Sequence, residues 1–297
     1  MTLLNLALTT FLSLKNTPLA WFSVSSYEQL NIIHKAAGCT TALLAIIHPT
    51  VFLATLSQGG YLFVIKEFLH FSGAIAACCM LLTVSVAILL RNLRYELFYV
   101  IHVILFMVII IMIGFHRPSY ATKSAYITTF AGSVWTLDRL IRFTRLSWNS
   151  ISNTAIISPL PNGGTLIILN KRVARMESGK HAFLWMPEIR TTETHPFTAV
   201  SNHPLKFVVS AHNGFTRDLH DYAVKNPGAT LKASVDGPYG VLPSFCTYDR
   251  VLLIAGGSGA SFTFGVALNM LDGFVNSSRK PAIEFVWVVR HEGMLPL

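Results

Sequence analysis

The sequence predicts a multi-domain membrane protein: an α-helical transmembrane bundle, then an antiparallel β-barrel, then a partial α/β domain. Three observations carry that expectation. Of 297 residues, 52% are hydrophobic and only 12% charged, with a mean hydropathy of +0.52, well outside the soluble range. The long uncharged runs are confined to the first half of the chain. After Trp148 they give way to short β-rich segments, and the C-terminal segment reads strand, glycine turn, helix, strand. The expected boundaries are 1–147, 148–248 and 249–297.

In chain order, the stretch 1–14 is apolar but short for a span, and it lacks the basic start and small-residue cleavage site of a signal peptide. It reads as the end of a helix begun earlier. The run 36–57 is uncharged and contains His48 and Pro49. Phe68–Leu90 supplies 23 positions without a formal charge and 97–115 another 19, each enough to cross a ~30 Å hydrocarbon core. A weaker fourth run, 120–140, carries Asp138 and Arg139 near its end. Strands are expected at 154–157, 165–169, 181–186, 205–210 and 230–235, punctuated by Pro161-Asn162-Gly163-Gly164, Asn226-Pro227-Gly228 and Asp236-Gly237-Pro238. From Arg250 the apolar strand 251–255, the turn Gly256-Gly257-Ser258-Gly259, a helix to about Phe274 and the strand 283–289 make a βαβ unit. Two strands are fewer than the about five such a sheet normally has, so the chain is expected to be cut at both ends.

The net charge of +9 follows the same division. Up to Ser147 there are 10 basic and 4 acidic residues, which places most of the excess on loops flanking helices. Membrane topology explains this better than nucleic acid does. Arg91, Arg94, Arg139, Arg142 and Arg145 fall on one face if the spans alternate, together with Lys15 and Lys35; Arg117 and Lys123 fall on the other. The positive-inside rule makes the first face cytosolic. Cys39, Cys78, Cys79 and Cys246 show no metal-binding spacing and read as small buried hydrophobes.

Four histidines stand out: His34 and His48, then His102 and His116. Both pairs are spaced by 14 residues in apolar helical sequence. At 3.6 residues per turn both imidazoles of a pair share a face, roughly 21 Å apart along the axis. The helices carrying them are separated by one span and so run parallel, which sets His34 level with His102 and His48 level with His116. Ionisable residues inside spans are functional candidates by default, although any one of them could instead hydrogen-bond a neighbouring helix. Two matched pairs suit two bis-histidine haems, and the closed coordination suits electron transfer. No carboxylates lie at this depth for zinc or di-iron. His70 stands alone at a span edge, with no partner in the pattern, and reads as structural. Phe106 and Met107 fall between the two levels and read as core. No Ser/His/Asp or paired-carboxylate set suited to hydrolysis is present.

His195-Pro196-Phe197-Thr198 places an aromatic and a hydroxyl where a flat, polar-edged ring could lie, or simply begins a strand after a proline. With "YEQLNIIHKAAG…HP", "YELFYVIHV…GFHR", "HPFT", "GFTRDL", "DGPYG" and "LLIAGGSGASFTF" occurring in that order, the sequence resembles the ferric reductase family, which includes fungal iron/copper reductases and the NADPH oxidases. The resemblance implies an FAD-binding β-barrel at 148–248 and an NAD(P)-binding α/β domain at 249–297. It implies that Phe197 packs on the isoalloxazine and Thr198 hydrogen-bonds near its N5. It further implies that His195 approaches the pyrophosphate, and that Gly214, Phe215 and Thr216 close around the phosphates. Gly256, Gly257 and Gly259 would admit the dinucleotide at a helix N-terminus, and Asp236–Gly240 would support the cofactors. The family's later Cys-Gly segment and terminal aromatic are not in this sequence.

The expectation is an NAD(P)H-dependent ferric-chelate reductase with FAD and two haems b. The haem-iron ligands would be His34, His48, His102 and His116. Fe(III) or Cu(II), as ion or chelate, would be reduced on the outer face, in the plasma membrane, with the FAD and NAD(P) domains cytosolic, membrane lipid as a further partner and no nucleic acid. Two alternatives stay open: superoxide production with O₂ as acceptor, and a non-catalytic haem-binding membrane protein. NADPH is the expected nicotinamide cofactor, with NADH left open, and nothing sets the oligomeric state.

Overall fold

Apolar runs that cannot satisfy their backbone in lipid must do so within the segment, and they become helices. The structure, a computed structural model, describes residues 1–18, 26–274 and 281–289. It divides into two compact units, Met1–Arg139 and Leu140–Leu297. The first contains α1 (Thr2–Leu12), α2 (Tyr27–Gly59), a short 3₁₀ turn (Leu62–Lys66), α3 (Phe68–Leu90), α4 (Tyr95–His116) and most of α5 (Thr122–Ser150). Three of these, α2, α3 and α4, are long and apolar enough to cross a membrane. The expected fourth span is helical but not among them, because Asp138, Arg139, Arg142 and Arg145 dilute the second half of α5.

Local chemistry fixes the ends. Ser26 and Gln29 form a capping box at the start of α2, and Gly60 closes the helix with φ +75°. Polar ties hold α1 to α2: Asn5 Nδ2 donates to the carbonyl of Ala37 and to Thr41 Oγ1, both at 2.9 Å, and Thr9 Oγ1 lies 3.3 Å from Thr41 Oγ1. Such bonds, with small residues such as Ala37 between them, are what joins helices where lipid and side chain are equally apolar. A small buried core of Leu6, Ala45, Met80 and Ile109 joins α1 to α4. Most other apolar side chains of the spans face outward, Ile32, Leu43, Ile88 and Ile111 among them. This outward bias corrects two expectations. Cys39 and Cys78 are exposed and only Cys79 is partly buried, all three as free thiols; the side chain of Cys246 lies outside the described residues. Met107 is exposed and Phe106 packs on Trp135, whereas Leu105 and Ile109 take the buried positions.

The second unit is built on β1 (Thr154–Leu160), β2 (Gly164–Leu169), β3 (His181–Trp185), β4 (His195–Asn202), β5 (Leu205–Ser210), β6 (Thr230–Lys232) and β7 (Ser234–Tyr239). Alternation along β1 and β2 puts Ala155, Ile157, Thr165, Ile167 and Leu169 inward. All the pairings are antiparallel, in the order β6-β1-β2-β5-β4-β3-β7. The ladder is not closed as a barrel. Its two edges, β6 and β7, follow one another through Ala233 alone, so one extended segment changes partner from β1 to β3 and cannot pair with itself. Helix α6 (Phe215–Lys225) covers the core with Phe215, Leu219 and Ala223, one turn apart, all buried.

The strands β8 (Arg250–Gly256) and β9 (Ala282–Val288) pair in parallel, joined by α7 (Ala260–Phe274). This βαβ unit seats on the antiparallel sheet through Gly265: a Cβ there would lie 2.5 Å from the Gly179 nitrogen and 2.7 Å from the Ala199 carbonyl. Only glycine lets α7 approach β4 so closely.

Candidate functional site

The spacing of 14 residues brings together the pairs the sequence predicts. The rings of His34 on α2 and His102 on α4 have centroids 6.4 Å apart and planes crossed at 65°. Those of His48 and His116 are 6.3 Å apart at 71°. Two imidazoles bound through Nε2 to one metal put their ring centres about 6 Å apart, from about 2 Å per metal–nitrogen bond and about 1 Å from each nitrogen to its ring centre. Both pairs fit that requirement. The buried core of Leu6, Ala45, Met80 and Ile109 includes residues of α2 and α4 that fall between the two levels in sequence.

A metal-bound imidazole usually donates its other N–H to a fixed acceptor, which sets the tautomer. His34 Nδ1 donates to the Thr9 carbonyl at 2.8 Å. That carbonyl lies in the last turn of α1, where no further helical N–H reaches it. His116 Nδ1 donates to the Leu69 carbonyl of α3, also at 2.8 Å. In each case the acceptor leaves Nε2 with its lone pair free. Gly73, one turn further along α3, is required by this arrangement, since a Cβ would overlap the His116 ring. His102 Nδ1 is buried without a partner.

His70 departs from the expectation of an isolated residue. It stacks on Phe52 with ring centroids 5.1 Å apart, and it stands 6.5 Å from His116 at 72°. Packing of α3 against both α2 and α4 puts it there. No sequence pattern pairs a single histidine with its neighbours on the helices before and after it.

In the second unit two distant motifs meet. His195 begins β4 opposite Leu184, and Phe197 and Thr198 follow opposite Ala182 and His181. The His195 ring stacks on Phe215 at 4.4 Å and 17°, and Phe197 lies 6.1 Å from the same ring. The start of α6 is thereby held against the start of β4. Gly214 precedes the helix with φ +91°, so the free N–H groups of the first turn are presented there, as an anion would need. Phe215 itself is 2% exposed, which leaves the backbone and Thr216 of that triplet for a ligand. Thr216 Oγ1 accepts from the His212 nitrogen at 2.9 Å. Beside it, Glu193 takes hydrogen bonds from Arg190 and His195 at 2.9 and 3.0 Å. Partial burial works against the Glu193 charge, but those two donors outweigh it and hold the carboxyl below its ordinary range.

The glycine turn joins β8 to α7 as expected, with Gly256 ending the strand and Gly257–Gly259 forming a 3₁₀ turn. Trp287 on β9 donates Nε1–H to the Gly257 carbonyl at 3.0 Å, bracing the turn from the neighbouring strand.

One cluster escaped the sequence reading. Asp236 is 2% exposed and accepts from Arg142 at 2.9 Å, Arg145 at 3.1 Å and the Tyr239 hydroxyl at 2.9 Å. Asn149 adds a 2.7 Å bond to the Val235 carbonyl, and Ser234 one to the Leu146 carbonyl. Burial first, and the Asp236 charge second, push the Tyr239 phenol well above its ordinary value. The i, i+3 arginines read as loop charges in sequence; here they continue α5 and fasten its end to β7.

Comparison with known proteins agrees with these regions one by one. Residues 1–113 match the ferric reductase-like transmembrane component, 162–243 an FAD-binding domain and 248–297 the ferric reductase NAD-binding domain. Region by region, the sequence is similar to the ferric reductase family. Ferric/cupric reductase transmembrane component 2 of Schizosaccharomyces pombe is 25% identical, with 96% of this chain and 59% of that protein covered. A probable cell surface ferric reductase of Aspergillus oryzae is 26% identical, with 83% and 36% covered. The chain thus spans roughly a third to three fifths of the length of these relatives. Among solved structures, an NADH-dependent reduced ferredoxin-NADP oxidoreductase covers 48% of the chain at 18% identity and a TM-score of 0.39. The chain is an integral membrane protein, and its later regions match FAD- and NAD-binding domains.

Proposed function

We propose that this chain passes electrons from NAD(P)H, through FAD and two haems b held by His34/His102 and His48/His116, to Fe(III) or Cu(II) on the far side of the membrane. The observation that carries the reading is the pair of imidazole couples at 6.4 and 6.3 Å. The relatives named as ferric and ferric/cupric reductases support the acceptor. When bound, the flavin converts a two-electron hydride into single electrons, and each haem supplies a one-electron site without an open iron position.

The chain's own residues do the rest. The carbonyls of Thr9 and Leu69 hold His34 and His116 as Nδ1–H tautomers and aim Nε2 inward. The apolar core of Leu6, Ala45, Met80 and Ile109 keeps water from between the levels. Phe197 and Thr198 receive the flavin ring. The first turn of α6, with Gly214 and Thr216 and with His195 alongside, receives its phosphates. Gly256, Gly257 and Gly259 admit the dinucleotide to the start of α7. The bias of arginine and lysine supports a cytosolic side for Arg91, Arg94 and the FAD and NAD(P) domains, and the plasma membrane is the proposed site.

The test is anaerobic absorbance of the purified full chain supplied with FAD. NADPH is expected to bring up the reduced spectrum of six-coordinate, low-spin haem. Haem that reduces with dithionite and never with NADPH would sink the electron-transfer reading while sparing the ligand assignment.

A further inference from the structure

The pair His48/His116 has a third imidazole beside it, and one of that ring's nitrogens is unaccounted for. His70 Nδ1 is buried and has no hydrogen-bond partner. A buried polar atom of this kind is costly to leave unmatched. The ring is not loose: Phe52, one turn beyond His48 on α2, stacks on it, and His116 meets it edge to face. Its centroid lies 6.5 Å from His116, against 6.3 Å for His48, so two imidazoles stand at nearly the same range from the His116 ring. Its neighbours Leu69 and Gly73 already shape that space, by the carbonyl that holds His116 and by the missing Cβ.

We infer that His70 is a positioning residue that donates Nδ1–H to a carboxylate of the porphyrin bound between His48 and His116. The argument rests on the haem reading above. Apart from its iron and ring nitrogens, a haem b carries polar atoms only in its propionates. Such a carboxylate, drawn toward a helical bundle, needs a donor there. The first turn of α3 would then hold both the ligand and the edge of one macrocycle, and fix its rotation about the His48–His116 axis.

The test uses the full chain loaded with haem. In His70→Phe both haems are expected to stay low-spin, while the propionate bending band in resonance Raman shifts for one of them. The midpoint potential of that haem falls and the other's does not move. His70→Gln, which keeps an N–H donor, restores part of both signals. Haem should leave His70→Phe about tenfold faster than the parent. Loading the parent with haem dimethyl ester, which has no carboxylate, should speed its loss similarly, with no further effect in His70→Phe. An unmoved Raman band and potential in His70→Phe, with both haems bound, overturns the donor role alone. A parent chain that binds no haem overturns this inference and the haem reading together.

Discussion

The two histidine pairs are nearly the same as pairs and differ in what holds them. Ring separations of 6.4 and 6.3 Å and interplanar angles of 65° and 71° are almost interchangeable. In the first pair the braced imidazole is His34 on α2, and its brace is the C-terminal carbonyl of α1. In the second it is His116 on α4, and its brace is the first turn of α3. The unused donors differ too. Near the first pair lies Arg139, whose Nε is buried without a partner while Nη1 donates to Tyr99, one turn before His102. Near the second lies His70. Helical periodicity alone dictates the pairing, so both come out alike. Tertiary neighbours dictate the surroundings, and that is where the two proposed sites differ.

The largest expected effect comes from removing a ligand. His102→Ala should abolish the first site and leave the second, halving the haem measured as pyridine haemochrome. A variant that keeps its full haem content refutes the assignment. Next is the cleft at the second pair. Gly73→Val should displace the His116 ring and cost the second site its haem, with the first site unmoved in the same spectrum; equal loss at both sites would mean that α3 serves the whole bundle. A smaller effect should follow from Thr41→Ala, which removes the hydroxyl that Asn5 and Thr9 share. Interhelical bonds in membranes are worth about 0.6 kcal/mol on average, so thermal stability should fall slightly. Any spectral change should be confined to the His34/His102 site that α1 braces.

Much of this was legible in sequence for a physical reason. A span must be a long apolar helix in lipid, so Phe68–Leu90 could be read to the residue. Two histidines on one helical face need only counting. The strands β1 and β2 show alternation, and their inward residues follow from it. What was hidden depends on contacts with no local signature. Backbone carbonyls such as those of Thr9 and Leu69 look the same at every position. The strand β4 interrupts its own pattern with Pro196, so only its first residues drew notice. In sequence the arginines of α5 read as loop charges because their partner, Asp236, lies some ninety residues on. The sheet was expected to close, and it does not, because its last two strands are one segment divided by Ala233.

The central claim is that each histidine pair is a separate electron site. A potentiometric titration of the full chain, followed in the haem bands, tests it most directly. Two one-electron components are predicted, with His102→Ala deleting one and His116→Ala deleting the other. A single component in the parent chain, or the same component lost in both variants, would contradict the account.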